Sequence, residues 1–186
     1  MPNLTYYFGY GSNLWLHQMS LRCPSSTYVG IARLSNYRWI INDRGYANIV
    51  QTNEPSDLVY GLVYTLTPDD EERLDRNEGV PRAYTKEIIP TEFWPLKAGE
   101  KVDLGDSDCM GIKKGSLVYI DRVRVEGDKP KAEYIHRMNL GVRDAVNIGM
   151  PQAYVDNVIR KFIPAEGDRE AKAVAEKQAL SFEDER

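Results

Sequence analysis

Tyr6-Tyr7-Phe8-Gly9-Tyr10-Gly11-Ser12-Asn13-Leu14 is the stretch from which the fold is read. Aromatic residues run up to paired glycines, a serine and an asparagine, and the apolar spacing then turns helical. The alternation predicts a strand over 6–10, with Tyr6, Phe8 and Tyr10 on one face and Tyr7 and Gly9 on the other. Asn13 is the expected N-cap of a helix from Leu14 to about Arg22, stopped by Pro24. A strand feeding a tight turn and a helix start leaves backbone N–H groups without intrahelical partners, a natural cradle for a carboxylate or other anion. The same residues also suit an ordinary connection, where Gly and Asn serve turn geometry. A dinucleotide or P-loop fingerprint is excluded, because its third glycine or its Gly-Lys-Ser/Thr ending is missing.

Outward from that turn, Tyr28–Ala32, Tyr37–Ile41, Ala47–Val50 and Leu58–Leu66 read as short strands separated by turn clusters such as Asn42-Asp43-Arg44-Gly45. Their close spacing predicts antiparallel pairing in a curved sheet or small barrel. Thr67-Pro68-Asp69-Asp70 is a helix start with a capping hydroxyl, proline at the first position and acids in the first turn. This helix should end near Glu78, with Gly79 as a left-handed terminator. Tyr84–Phe93 and Ser116–Val125 are the next predicted strands, with Pro95–Gly115 as a long surface loop between them. From Lys131 the stripe Ile135, Met138, Val142, Ala145, Val146 predicts a helix broken at Gly149-Met150-Pro151. A last helix carries Val155, Val158, Ile159 and Phe162 up to Pro164. The class is α+β, a small mixed β-barrel or curved sheet flanked by helices. One domain is expected over 1–165, followed by a charged tail or peripheral helix over 166–186.

The chain has 186 residues, 42% of them hydrophobic and 28% charged, with a formal charge of −4. That balance disfavours nucleic acid and anionic membranes as partners. No leader or spanning segment is read from the sequence, and Cys23 and Cys109 suit reduced thiols, so a cytoplasmic address is expected. His17 and His136 are the only histidines, and neither belongs to a metal-binding spacing, so no metal is expected. Ser12 lacks the nucleophile-elbow pattern.

Among the acids of the 68–78 helix, Glu78 stands apart. Leu74 is the one apolar side chain there and marks the buried side; Glu78, four residues on, shares it. A carboxylate aimed inward at a helix C-terminus meets both desolvation and the negative end of the helix dipole, which raise its pKa toward the range useful for general acid–base chemistry. Asp75 is less well aimed. Tyr84, Tyr119 and Tyr134, on separate elements, stay undecided between core and site.

Three segments together resemble the γ-glutamylcyclotransferase-like family: Tyr-Phe-Gly-Tyr-Gly-Ser-Asn-Leu at the N-terminus, Leu74-Asp75-Arg76-Asn77-Glu78-Gly79-Val80, and Tyr134-Ile135 through Gly141 to Gly149-Met150-Pro151 and Tyr154. The likeness spans about residues 6–163 in order. It implies a barrel with a cavity at its mouth and cofactor-free release of 5-oxoproline from a γ-glutamyl amide. By position, Tyr10, Gly11, Ser12, Asn13 and Leu14 would hold the γ-glutamyl group, largely through backbone atoms. Glu78 would be the acid–base residue, and Tyr84, Tyr119 and Tyr134 would line the pocket. The resemblance is compatible with a homodimer and with a non-catalytic protein that retains the pocket. Pro95–Gly115 is longer than a minimal member needs and would cover the leaving-group side; Gly127–Lys131 is less proline-rich than the family pattern.

Overall fold

The computed structural model describes residues 3–104 and 109–165, and beyond them 173, 176 and 177. Its strands are β1 (Thr5–Gly9), β2 (Thr27–Ser35), β3 (Tyr37–Ile41), β4 (Ala47–Gln51), β5 (Leu58–Leu66), β6 (Thr85–Pro95) and β7 (Ile112–Ile120). The helices are α1 (Leu16–Arg22), α2 (Pro68–Asn77), α3 (Ala132–Ile148) and α4 (Gln152–Asn157), with 3-10 turns at Ser12–Leu14 and Ile159–Lys161. Five strands close a barrel in the order β1-β5-β2-β6-β7. Every seam is antiparallel except the closing one, where β1 and β7 pair in parallel around Tyr7 and Leu117. Closure removes the free edges that an open sheet of this size would expose. Strands β3 and β4 form a separate hairpin.

The β5 sequence Leu-Val-Tyr-Gly-Leu-Val-Tyr-Thr-Leu lacks polar alternation because eight of its nine residues are buried. On β2 the register slips between Tyr28 and Gly30. Gly30 has φ +150°, and a Cβ there would lie 2.1 Å from the Trp94 carbonyl oxygen, so the bulge requires glycine.

The α2 expectations hold in detail. The Thr67 hydroxyl accepts from the Asp70 amide at 3.2 Å, and the Asp70 carboxylate reaches back to the Thr67 amide. Gly79, at φ +64°, ends the helix. Elsewhere the boundaries move. Asn13 is not the N-cap of α1; Trp15 occupies that position without a side-chain cap, and the Leu16 amide is taken by Asp144 of α3 at 3.1 Å. Strand β7 begins at Ile112, so the two ends of the predicted 95–115 loop are strand (Pro95 in β6 and 112–115 in β7), while 96–104 and 109–111 are loop as expected: Glu92 lies across from Lys113, and Thr91 from Lys114. Its Lys-Lys-Gly composition reads as loop, but cross-strand pairing with β6 decides the matter. The same strand stops at Ile120 instead of Val125, because the Asp121 carboxylate accepts the Val123 and Arg124 amides and folds the chain into a turn. The last predicted helix is α4 followed by a 3-10 turn, with Val155 and Ile159 fully buried. Of the predicted tail only Ala173, Glu176 and Lys177 are described, all helical; the rest lies outside the described residues.

Helix α3 packs its Met138, Gly141 and Ala145 side against the 3-10 turn at Ser12–Leu14. A Cβ on Gly141 would meet the Leu14 Cβ and the Trp15 amide, each at 2.9 Å, so this close approach depends on glycine. Among the described residues no helix is long and apolar enough to cross a membrane.

Candidate active site

Where β1 leaves the barrel, Tyr10 to Asn13 form one wall of a small pocket, part of it open to solvent. Glu78 at the end of α2, Tyr84, Tyr119 and Tyr134 complete it, together with Tyr7, Tyr46 and Ala47. Eight of the nine candidate residues thus converge, although they come from the turn after β1, the end of α2, β7, α3 and the approach to β6. Leu14 does not line the pocket. It is fully buried beneath it, against Gly141.

Asn13 is the hub. Its Nδ2 donates to Tyr7 Oη at 2.8 Å and to Glu78 Oε1 at 3.3 Å. Its Oδ1 accepts from Gln18 Nε2 at 2.9 Å and Arg22 Nη1 at 3.4 Å, and its carbonyl accepts the Tyr64 hydroxyl at 2.7 Å. Ser12 is held as firmly: its amide donates to Tyr134 Oη at 3.1 Å, and its Oγ accepts from Gln18 Nε2 and Arg137 Nη1. A hydroxyl so placed is a structural acceptor; His17 is exposed and is not bonded to it.

Three of the tyrosine hydroxyls are spent on the frame. Tyr10 donates to the Tyr119 carbonyl, Tyr84 to the Ala47 carbonyl, and Tyr119 to Asp75 Oδ1, each at 2.7 Å. Burial first, and then the nearby Glu78 charge, push Tyr7 and Tyr10 well above the ordinary phenol value. Burial also raises Tyr84 and Tyr119, with Tyr10 and Asp75 respectively as the next cause. These rings stay neutral. Cys23, fully buried, is pushed up to about 12 by desolvation and then by Asp70, so it is no thiolate nucleophile.

The two acids nearest the C-terminal end of α2 divide as their helical positions imply. Asp75 accepts Tyr119 on one oxygen and Lys86 on the other at 2.9 Å, a closed structural role. Glu78, four residues past the fully buried Leu74, reaches the pocket itself. It is the carboxylate in contact with the cavity, with the neutral phenols of Tyr7 and Tyr10 beside it.

Sequence reading missed Tyr7, Tyr46 and Ala47 in the lining and Gln18, Arg22 and Arg137 behind it. Arg137 and Gln18 are both 0% exposed, and Arg137 sits on the apolar stripe of α3, a polar break in a core-facing pattern that is itself a signal. Tyr7 was legible only as the back face of a strand.

The chain is matched by the family described as Gamma-glutamyl cyclotransferase, AIG2-like, over residues 7–134. It belongs to that family. Mouse γ-glutamylcyclotransferase is 36% identical and human γ-glutamylcyclotransferase 33% identical over 84 residues. Each match covers 40% of this chain and 44% of the relative, less than half its length. A solved γ-glutamyl cyclotransferase superposes with a TM-score of 0.68 at 22% identity, covering 94% of this chain and 99% of the other. The barrel fold is therefore that of the family, and the pocket lies in the segment that the family match spans.

Proposed function

We propose that this pocket cyclises a γ-glutamyl amide, releasing 5-oxoproline and the free amine. The substrate brings its own nucleophile: the α-amine attacks the γ-carbonyl carbon, a C–N bond closes the five-membered ring, and the original amide C–N bond breaks. The protein's task is to fold the γ-glutamyl chain so that amine and carbonyl meet; such pre-alignment is worth about 7–11 kcal/mol in the best cases. The Tyr10–Asn13 wall and Tyr134 form the surface for that group. Glu78 takes a proton from the α-ammonium and returns one to the departing amine.

The observation that carries this reading is the placement of Glu78. It lines the cavity within reach of Asn13 while the neighbouring phenols are held neutral by burial. A reaction whose nucleophile comes with the substrate accounts for a site in which the Ser12 hydroxyl and the Cys23 thiol are both tied up.

The test is to incubate the protein with γ-glutamyl dipeptides and γ-glutamyl amines and follow 5-oxoproline by chromatography. Glu78→Gln keeps the acceptor toward Asn13 and is expected to fold normally while losing about 100- to 10,000-fold in rate. Turnover by that variant at the parent rate would overturn the mechanism. Tight binding without 5-oxoproline from the parent would instead favour a binding protein that retains the pocket.

A further inference from the structure

Gln18 and Arg22 stand four residues apart on α1, so one side of the helix carries both. They are 0% and 1% exposed, and neither lines the pocket. Both are aimed at Asn13: Gln18 Nε2 donates to its Oδ1 at 2.9 Å, and Arg22 Nη1 does so at 3.4 Å. The backbone there is already held, because the Asn13 carbonyl accepts the Tyr64 hydroxyl at 2.7 Å. What the two α1 side chains add is the direction in which the Asn13 amide faces. A guanidinium donates and cannot accept. Turned over, the amide would set its NH2 against the donors of Gln18 and Arg22, and its oxygen against Glu78. Gln18 is not free to turn and relieve this. Its Oε1 accepts Arg137 Nη1 at 3.4 Å, and Arg137 is itself clamped by Glu133.

Two arginines thus fix two amides in series, and the series ends at the Asn13 Nδ2 donor, 3.3 Å from Glu78 Oε1. Among the described residues, the ionisable groups that share the pocket with Glu78 are Tyr7, Tyr10, Tyr84, Tyr119 and Tyr134. Cys23 lies at the end of α1, and Asp75, on Glu78's own helix, is engaged by Tyr119 and Lys86. Burial keeps Tyr7, Tyr10, Tyr84, Tyr119 and Cys23 uncharged. A donor held against a carboxylate favours its ionised form, whereas an acceptor in the same place favours the protonated acid. We propose that Gln18, assisted by Arg22, is a positioning residue for the cyclisation: it locks the Asn13 amide with its donor toward Glu78, and so keeps Glu78 the ionised base that takes the α-ammonium proton. This assignment rests on the acid–base role given to Glu78 above.

The test is Gln18→Met, which keeps a side chain of similar length, removes the amide and changes no charge. One readout is the pH profile of kcat/KM for 5-oxoproline release from γ-glutamyl-alanine. The other is a carbon-13 NMR titration of the Glu78 carboxyl, identified by its absence from Glu78→Gln. Without the lock, the Asn13 amide can turn its oxygen to Glu78. The Glu78 midpoint and the acid limb of the profile are therefore expected to move together to higher pH by about one unit, the size of one hydrogen bond to a charged group. A rate lowered by the same factor at every pH, with the midpoint unmoved, overturns the assignment and leaves Gln18 a scaffold residue. Gln18→Asn, shorter by one methylene, withdraws the same donor and takes the place of Gln18→Met if that variant does not fold; the same shift is expected. In the parent, the Asn13 side-chain amide resonances should titrate with the Glu78 midpoint, and their failure to do so also overturns the lock. Should the parent release no 5-oxoproline, the cyclotransferase reading fails, while the midpoint in Gln18→Met still decides whether Gln18 sets the ionisation of Glu78.

Discussion

Replacing Arg137 by Met probes what holds the candidate catalytic turn in place. Arg137 is 0% exposed and Glu133, one turn back on α3, is 6% exposed. Their contact is two-pronged: Nε to Oε2 at 3.0 Å and Nη2 to Oε1 at 3.4 Å. The remaining donor, Nη1, reaches Ser12 Oγ at 3.3 Å and Gln18 Oε1 at 3.4 Å, and the guanidinium stacks 5.0 Å from the Tyr134 ring centre. Methionine keeps most of the stem volume, so the cost is electrostatic. A buried carboxylate deprived of its guanidinium costs about 3–5 kcal/mol. Set against about 5–15 kcal/mol for a whole domain, that is a large share. For a chain of this size it amounts to a fall in Tm of roughly 6–20 °C. Thermal and urea melts followed by circular dichroism measure it. Adding Glu133→Gln removes the stranded charge, so the double variant should recover at least half of the loss. The reasoning is refuted if Arg137→Met costs less than about 1 kcal/mol, the scale of an exposed pair. It is equally refuted if the double variant is no more stable than the single one. Because the same side chain braces Ser12, activity of Arg137→Met below its melting transition should also fall.

Two further changes separate the site from the scaffold. Gly11→Ala would place a Cβ 2.7 Å from Tyr134 Oη and 3.1 Å from the Ala47 Cβ, so the hydroxyl that accepts the Ser12 amide must move; kcat/KM should fall about tenfold or more while Tm changes little. On the acid side, the Arg122 guanidinium holds the Glu87 carboxyl below its ordinary value of 4.5. A lowered folded-state value adds stability above pH 4.5 that is lost as pH falls through the folded value, so the urea-midpoint advantage of the parent over Glu87→Gln should shrink below that pH. An advantage that grew on acidification would contradict the sign.

Much of the site was legible because its signals are local. Glu78 announces itself by standing four residues from Leu74 in a helix whose other side chains are polar, and helical geometry alone puts the two on one side. Thr67, Pro68 and Gly79 likewise mark α2 at both ends through backbone chemistry that acts within a few residues. Asn13 shows the limit of such reading. Its residue type and position suggest a helix cap, yet its side chain serves Tyr7, Glu78, Gln18 and Arg22, while a distant carboxylate, Asp144, takes the Leu16 amide. Lys113 and Lys114 mislead in the opposite direction: their composition is that of a loop, and only the facing β6 strand makes them part of the barrel.

By itself, then, the sequence determined the elements: an aromatic strand running into a glycine-rich turn, a capped helix with an inward acid at its end, and a helical stretch from Lys131 onward. Each depends on interactions among near neighbours. The tertiary structure decided what no short window encodes. The barrel closes through the parallel pairing of Tyr7 with Leu117, Tyr119 and Tyr134 join Tyr10 at one pocket, Arg137 is buried against Glu133, and Arg44 lies against two of the pocket's tyrosines. Those outcomes are set by strand register and packing between residues far apart in the chain, where a one-residue slip would turn every side chain to the other face.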